Sequence, residues 1–135
     1  MDLKNQTQKR EIEFRAKSIN AYNKGQWVYG VPCENEQGDW QMFKKGERVY
    51  SIDPSTIGQF TGLTDKKGTK IYEGDILNID KTHQLFGDER NCKVEFVDQS
   101  GRFHLIGTFY DNIREGISDI SGKNCCEVVG SIHMN

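Results

Sequence analysis

The chain has 135 residues, enough for one compact domain that buries roughly two thirds of its unfolded surface without metal or disulfides. Twenty acidic and eighteen basic side chains give a net charge of −2, which argues against strong nonspecific binding to a phosphate backbone. The N-terminus lacks the apolar core of a secretion signal, and no apolar run approaches the roughly 20 residues that span a bilayer. The expectation is a cytoplasmic protein without membrane contact.

Residues 1–10 are polar and are expected to form a flexible N-terminus. Ile12, Phe14 and Ala16 alternate with Glu11, Glu13 and Arg15, the period-two pattern of a half-buried strand. Residues 26–31, which include Trp27, Val28, Tyr29 and Val31, form the next strand, with either face able to be the buried one. Short strands follow over 40–43 and 48–52, and Asp53-Pro54-Ser55 stops the second of them, because proline has no donor for a ladder. A boundary near Pro54 divides an N-terminal β lobe from the rest of a single domain over 1–135.

The most legible stretch is Ser55 to Asp80. Ile57, Gln59 and Thr61 alternate with Gly58, Phe60 and Gly62, and residues 64–68 have turn composition, with Gly68 supplying a positive φ. A second strand then rises through Ile71 to Ile79, bent at Gly74-Asp75. Beyond it, Leu85 and Phe86 stand on a polar loop, either tucked onto the fold or exposed to a partner. Residues 92–97 and 102–106 read as a hairpin. Apolar residues at 109, 110, 113 and 117 predict one short helix ended by Gly116, and 127–133 a final strand. Roughly eight short strands make the chain mainly β, in the pattern of a small barrel or meander.

Gln59, Thr61, Gly62, Leu63, Asp65, Lys66, Gly68, Ile71, Tyr72, Glu73, Gly74, Asp75 and Ile76 resemble the signature segment of the YopX family of bacteriophages and prophages. Residues 11–16 (EIEFRA) are similar to that family's opening segment, although Lys17 stands where it usually has Trp, and 127–132 (EVVGSI) are similar to its closing one. The resemblance implies a mainly β fold with an SH3-like small barrel, and it brings no established activity.

No constellation of catalytic residues stands out. Glu73 and Asp75, at i and i+2, share a face if the segment is extended; the simpler reading gives Asp75 a bond to its own turn backbone and leaves Glu73 solvated. Cys33, Cys92, Cys125 and Cys126 form no C-x-x-C, so reduced, partly buried thiols are expected and no metal or cofactor. The fold and the missing catalytic set point to a non-catalytic binding module for a host or phage protein, not an enzyme. Its candidate interaction surface comprises Gln59, Thr61, Asp65, Tyr72, Glu73, Asp75, Leu85 and Phe86. Exposed strand edges also allow self-association. The competing class is a nucleic-acid-binding barrel, with Trp27, Tyr29, Trp40, Phe43, Tyr50, Phe60 and Tyr72 as stacking platforms and Lys44, Lys45, Lys66, Lys67 and Lys70 supplying charge. A third is a hydrolase using Glu73 and Asp75.

Overall fold

The computed structural model describes residues 11–79, 91–97, 101–107, 113–116 and 126–133. Among these there are ten β-strands and no helix. One sheet runs in the order β1 (Phe14–Ser18), β2 (Trp27–Glu34), β3 (Trp40–Phe43), β4 (Tyr50–Thr64) and β5 (Lys70–Tyr72), and β4 also returns to pair with β1. The other sheet has the order β10 (Cys126–Ser131), β6 (Asp75–Ile79), β7 (Asn91–Val97), β8 (Arg102–Gly107) and β9 (Ile113–Gly116). Every described pairing is antiparallel.

Two apolar clusters form among the described residues, one within the first sheet and one that the second sheet shares with Ile71 of β5. Ala16, Val28, Met42 and Ile52 are buried in the first, with Phe14, Trp40, Tyr50 and Ile57 packed on them. Ile71, Leu77, Ile79, Cys92, Val94, Phe103, Leu105 and Cys126 fill the second. β4 serves both, because Ile52 lies in one cluster while Leu63 packs against the other.

Pro54 does not stop its strand. Arg15 pairs with Gly58 and Lys17 with Asp53, so two steps along β1 span five along β4, and Pro54 falls in the resulting bulge. A bulge is where a strand tolerates a residue without a donor. Thr56 Oγ1 closes it, accepting from Lys17 N at 2.8 Å and donating to Asp53 O at 2.7 Å.

The helix expected over 109–117 is not formed across its described part, 113–116, which is strand β9. Ile113 pairs with Ile106 and Glu115 with Leu105. A helix this short has little stability of its own, and the open edge of β8 supplies ladder hydrogen bonds that outweigh a loose 3.6-residue pattern. The remainder of 109–117 lies outside the described residues.

Candidate functional site

The residues of the family-like segment fold inward. At the β4–β5 hairpin, Phe60 pairs with Tyr72 and Thr64 with Lys70, leaving a second bulge around Thr61–Leu63. Gly62 takes φ +89° there, and Thr61 Oγ1 donates to Ile71 O at 2.8 Å while accepting from Leu63 N at 3.2 Å. Gly68 has the positive φ that its turn requires.

Asp65 is buried at the hairpin tip, where its Oδ1 accepts from Lys67 N and Thr69 N, each at 2.9 Å. Its Oδ2 accepts from Val128 N at 2.9 Å, fastening the tip to β10. Burial opposes ionisation of Asp65, but the N–H groups of Val128, Thr69 and Lys67 outweigh it and hold the carboxyl below its ordinary range.

Asp75 is 1% exposed. Its Oδ2 accepts from Tyr72 N at 2.7 Å, and its Oδ1 pairs with Arg15 Nη2 across the two sheets. Burial pushes the Asp75 carboxyl up, against the pull of the Tyr72 N–H and the Arg15 guanidinium. That guanidinium lies 4.0 Å from the ring centre of Trp27 and 4.7 Å from that of Tyr72. The Tyr72 hydroxyl donates to Glu13, and burial together with this carboxylate raises the phenol far above its ordinary range. Burial also opposes the charge on Glu13, yet the Tyr72 hydroxyl and the Lys70 and Lys44 ammonium groups keep its carboxyl low.

The candidate surface drawn from this segment is therefore corrected. Thr61, Asp65, Tyr72 and Asp75 are buried, and their polar side-chain atoms are engaged within the chain. Gln59 and Glu73 are half-buried, while Leu85 and Phe86 lie outside the described residues. Glu73 and Gly74 form a turn between β5 and β6, so the parity that would place Glu73 beside Asp75 does not hold. Asp75 does bond its own turn backbone, as the simpler reading expects.

Exposed side chains gather instead on the outer face of β1, β2 and β3, around the committed Arg15. Lys17 is opposite Trp27, Arg15 opposite Tyr29, and Val31 opposite Phe43. Tyr29, Val31 and Phe43 are exposed, Val31 to 52%. Of the other aromatics named as stacking platforms, Trp40 and Tyr50 pack on the first core, and Phe60 and Tyr72 are buried. The lysines of that reading are mostly neutralised. Lys44 pairs with Glu13 and Glu47, Lys70 with Glu11 and Glu13, and Lys66 and Lys67 with Glu127.

Where the lower end of this face meets the β4 bulge and the turn after β10, a cleft of about 420 Å³ opens. Lys17, Ser18, Lys24, Asp53, Thr56 and His133 are among its lining residues. His133 also lines a neighbouring hollow of about 210 Å³ with Ile57, Glu73 and Val94. Lys17 Nζ sits 4.4 Å from the ring centre of Trp27, and the Trp27 and His133 rings make a T-shaped contact at 6.3 Å between centroids. Burial, then the nearby Arg15 guanidinium, lowers the His133 imidazole below its ordinary value. Sequence reasoning missed Lys17, Lys24 and Val31 as site residues. The alternation of β2 marks Trp27, Tyr29 and Val31 as one face, but only the β1–β2 register places Lys17 on it.

A comparison with curated proteins gives no significant match. Among solved structures, the chain is similar to the crystal structure of protein EF1440 from Enterococcus faecalis, with a TM-score of 0.54 and 25% identity over 93% of this chain and 95% of that one. Among families, the description "YopX protein" matches residues 4–135. With that match spanning nearly its whole length, the chain belongs to the YopX family.

Proposed function

We propose that this YopX protein is a non-catalytic binding module, encoded by a phage or prophage and acting in the bacterial cytoplasm, whose partner is a host or phage protein. The single observation behind this reading is the exposed strip of Tyr29, Val31 and Phe43. It is bordered by Lys44 and Lys70, whose charges are matched by Glu13, Glu11 and Glu47. An apolar centre with a charge-balanced rim suits a protein surface better than a phosphate backbone, which needs unpaired cations. The SH3-like barrel implied by the resemblance is part of the same reading, and the return of β4 onto β1 supports it. The engagement of both Asp75 oxygens speaks against a hydrolytic role for that acid.

The test is a tagged capture from host lysate, in nuclease-treated and untreated halves, with wild type and Val31→Asp. One protein should be recovered with wild type from both halves and lost with the folded variant. Recovery confined to the untreated half, or retention by Val31→Asp, would overturn the reading.

A further inference from the structure

Eight lysines lie among the described residues, and five of them, Lys44, Lys66, Lys67, Lys70 and Lys93, have a carboxylate within ion-pairing distance. No described carboxylate pairs with Lys17, Lys24 or Lys45, and the first two line the same cleft. Unpaired ammonium groups on an acidic chain are unexceptional when they are spread over the surface. Two lysines lining one concavity, against the single carboxylate of Asp53, give it a local positive excess in a protein of net charge −2.

The cleft also orders its charge. Lys17 is held from both ends, since its backbone N–H donates to Thr56 Oγ1 at 2.8 Å and its ammonium lies over the Trp27 ring. A cation resting on an aromatic face loses less freedom on meeting an anion than one on a free stem. Facing it, His133 is kept toward the neutral imidazole, which still offers one N–H. The acid of the lining, Asp53, is partly occupied: its Oδ1 accepts from Ser55 N at 3.0 Å and from Ser55 Oγ at 2.7 Å. The backbone donors nearby are spent within the chain, Ser18 N on Gln26 O and Gly25 N on Ser18 O. Recognition in the cleft therefore falls to side chains.

We propose that this cleft binds a small ligand carrying a phosphate-like oxyanion, held by Lys17 and Lys24 with a hydrogen bond from His133. A volume of about 420 Å³ lies within the usual range for one small molecule. The carboxylates of Asp53 and Glu73 near His133 disfavour a long polyanion passing through. This site is independent of the protein-binding strip.

Inorganic phosphate is the probe, titrated into the full-length ¹⁵N-labelled protein and read by the Trp27 indole and Gly25 amide resonances, with chloride at matched ionic strength as control. A six-nucleotide single strand forms a second arm, to separate a small ligand from nucleic acid. Saturable shifts with phosphate are expected, weakened about tenfold in Lys17→Gln and in Lys24→Gln. Lys17→Arg should retain binding, and Lys45→Gln, remote from the cleft, should bind as wild type. The proposal is overturned if phosphate gives no saturable shift, if chloride reproduces it, or if Lys45→Gln is as weak as the cleft variants. It is equally overturned if the single strand binds and phosphate does not. Should Lys17→Gln fail to fold, Lys24→Gln and Lys17→Arg decide the matter.

Discussion

The hairpin of β4, β5 and β6 and the outer face of β1, β2 and β3 use similar residue types to opposite ends. In the hairpin, Thr61, Asp65, Tyr72 and Asp75 spend their polar atoms on backbone groups and on Arg15 and Glu13. On the outer face, Tyr29, Val31 and Phe43 meet solvent, and in the cleft beside it Lys17 and Lys24 have no described carboxylate partner. The segment that identifies the family is thus a device for holding two sheets together. The surface available for recognition is made of residues that look ordinary in sequence.

Removing one half of the buried pair should separate the two regions most sharply. Asp75→Ala leaves the Arg15 guanidinium buried between Trp27 and Tyr72 without its counter-charge, at a cost of about 3–5 kcal/mol in urea unfolding. A loss below about 1 kcal/mol would rank the pair with surface ion pairs and break the comparison.

Asp65→Asn should cost about 1–3 kcal/mol near pH 7, because the amide turns a donor toward either Val128 N–H or the Lys67 and Thr69 N–H groups. The lowered Asp65 value means that its contribution is fully present above the ordinary 3.8 and is lost as pH falls through the lower folded value. The gap between wild type and variant should therefore close below pH 3.8, as followed by acid-titrated circular dichroism.

Gly62→Ala should cost about 1–2 kcal/mol by thermal melting, since a side chain at φ +89° is strained even though nothing lies within 4 Å of the added carbon. Val31→Asp, on the other face, should move stability by no more than about 0.5 kcal/mol while abolishing partner capture. A destabilisation as large as that of the hairpin variants would show that the strip is structural.

Much of the fold was legible because local chemistry and tertiary structure agree. β3 spans the four residues read from Trp40 to Phe43, and the hairpin of β7 and β8 follows its alternation. Gly68 adopts its positive φ for the reason read from the turn. Disagreement arose wherever the deciding partner was distant in sequence. Pro54 reads as a stop until β1 is seen to pair on both sides of it. Residues 113–116 read as helix until β8 supplies an edge. Arg15 and Asp75 stand 60 residues apart, and nothing local to either shows that they meet. The cleft was illegible for the same reason, because Lys17, Lys24, Asp53 and His133 come from four separate stretches.

β10 closes one side of its sheet, and the exposed rim of such a strand invites a foreign chain to add itself. The hairpin tip fills the openings first, as Asp65 takes the Val128 N–H and Lys66 N donates to Cys126 O at 3.1 Å. One short loop thereby does the work of an extra strand, matching a donor and an acceptor on the rim of β10 without extending the sheet. The consequence is colloidal: the same aspartate that steadies the fold also guards against β-mediated aggregation.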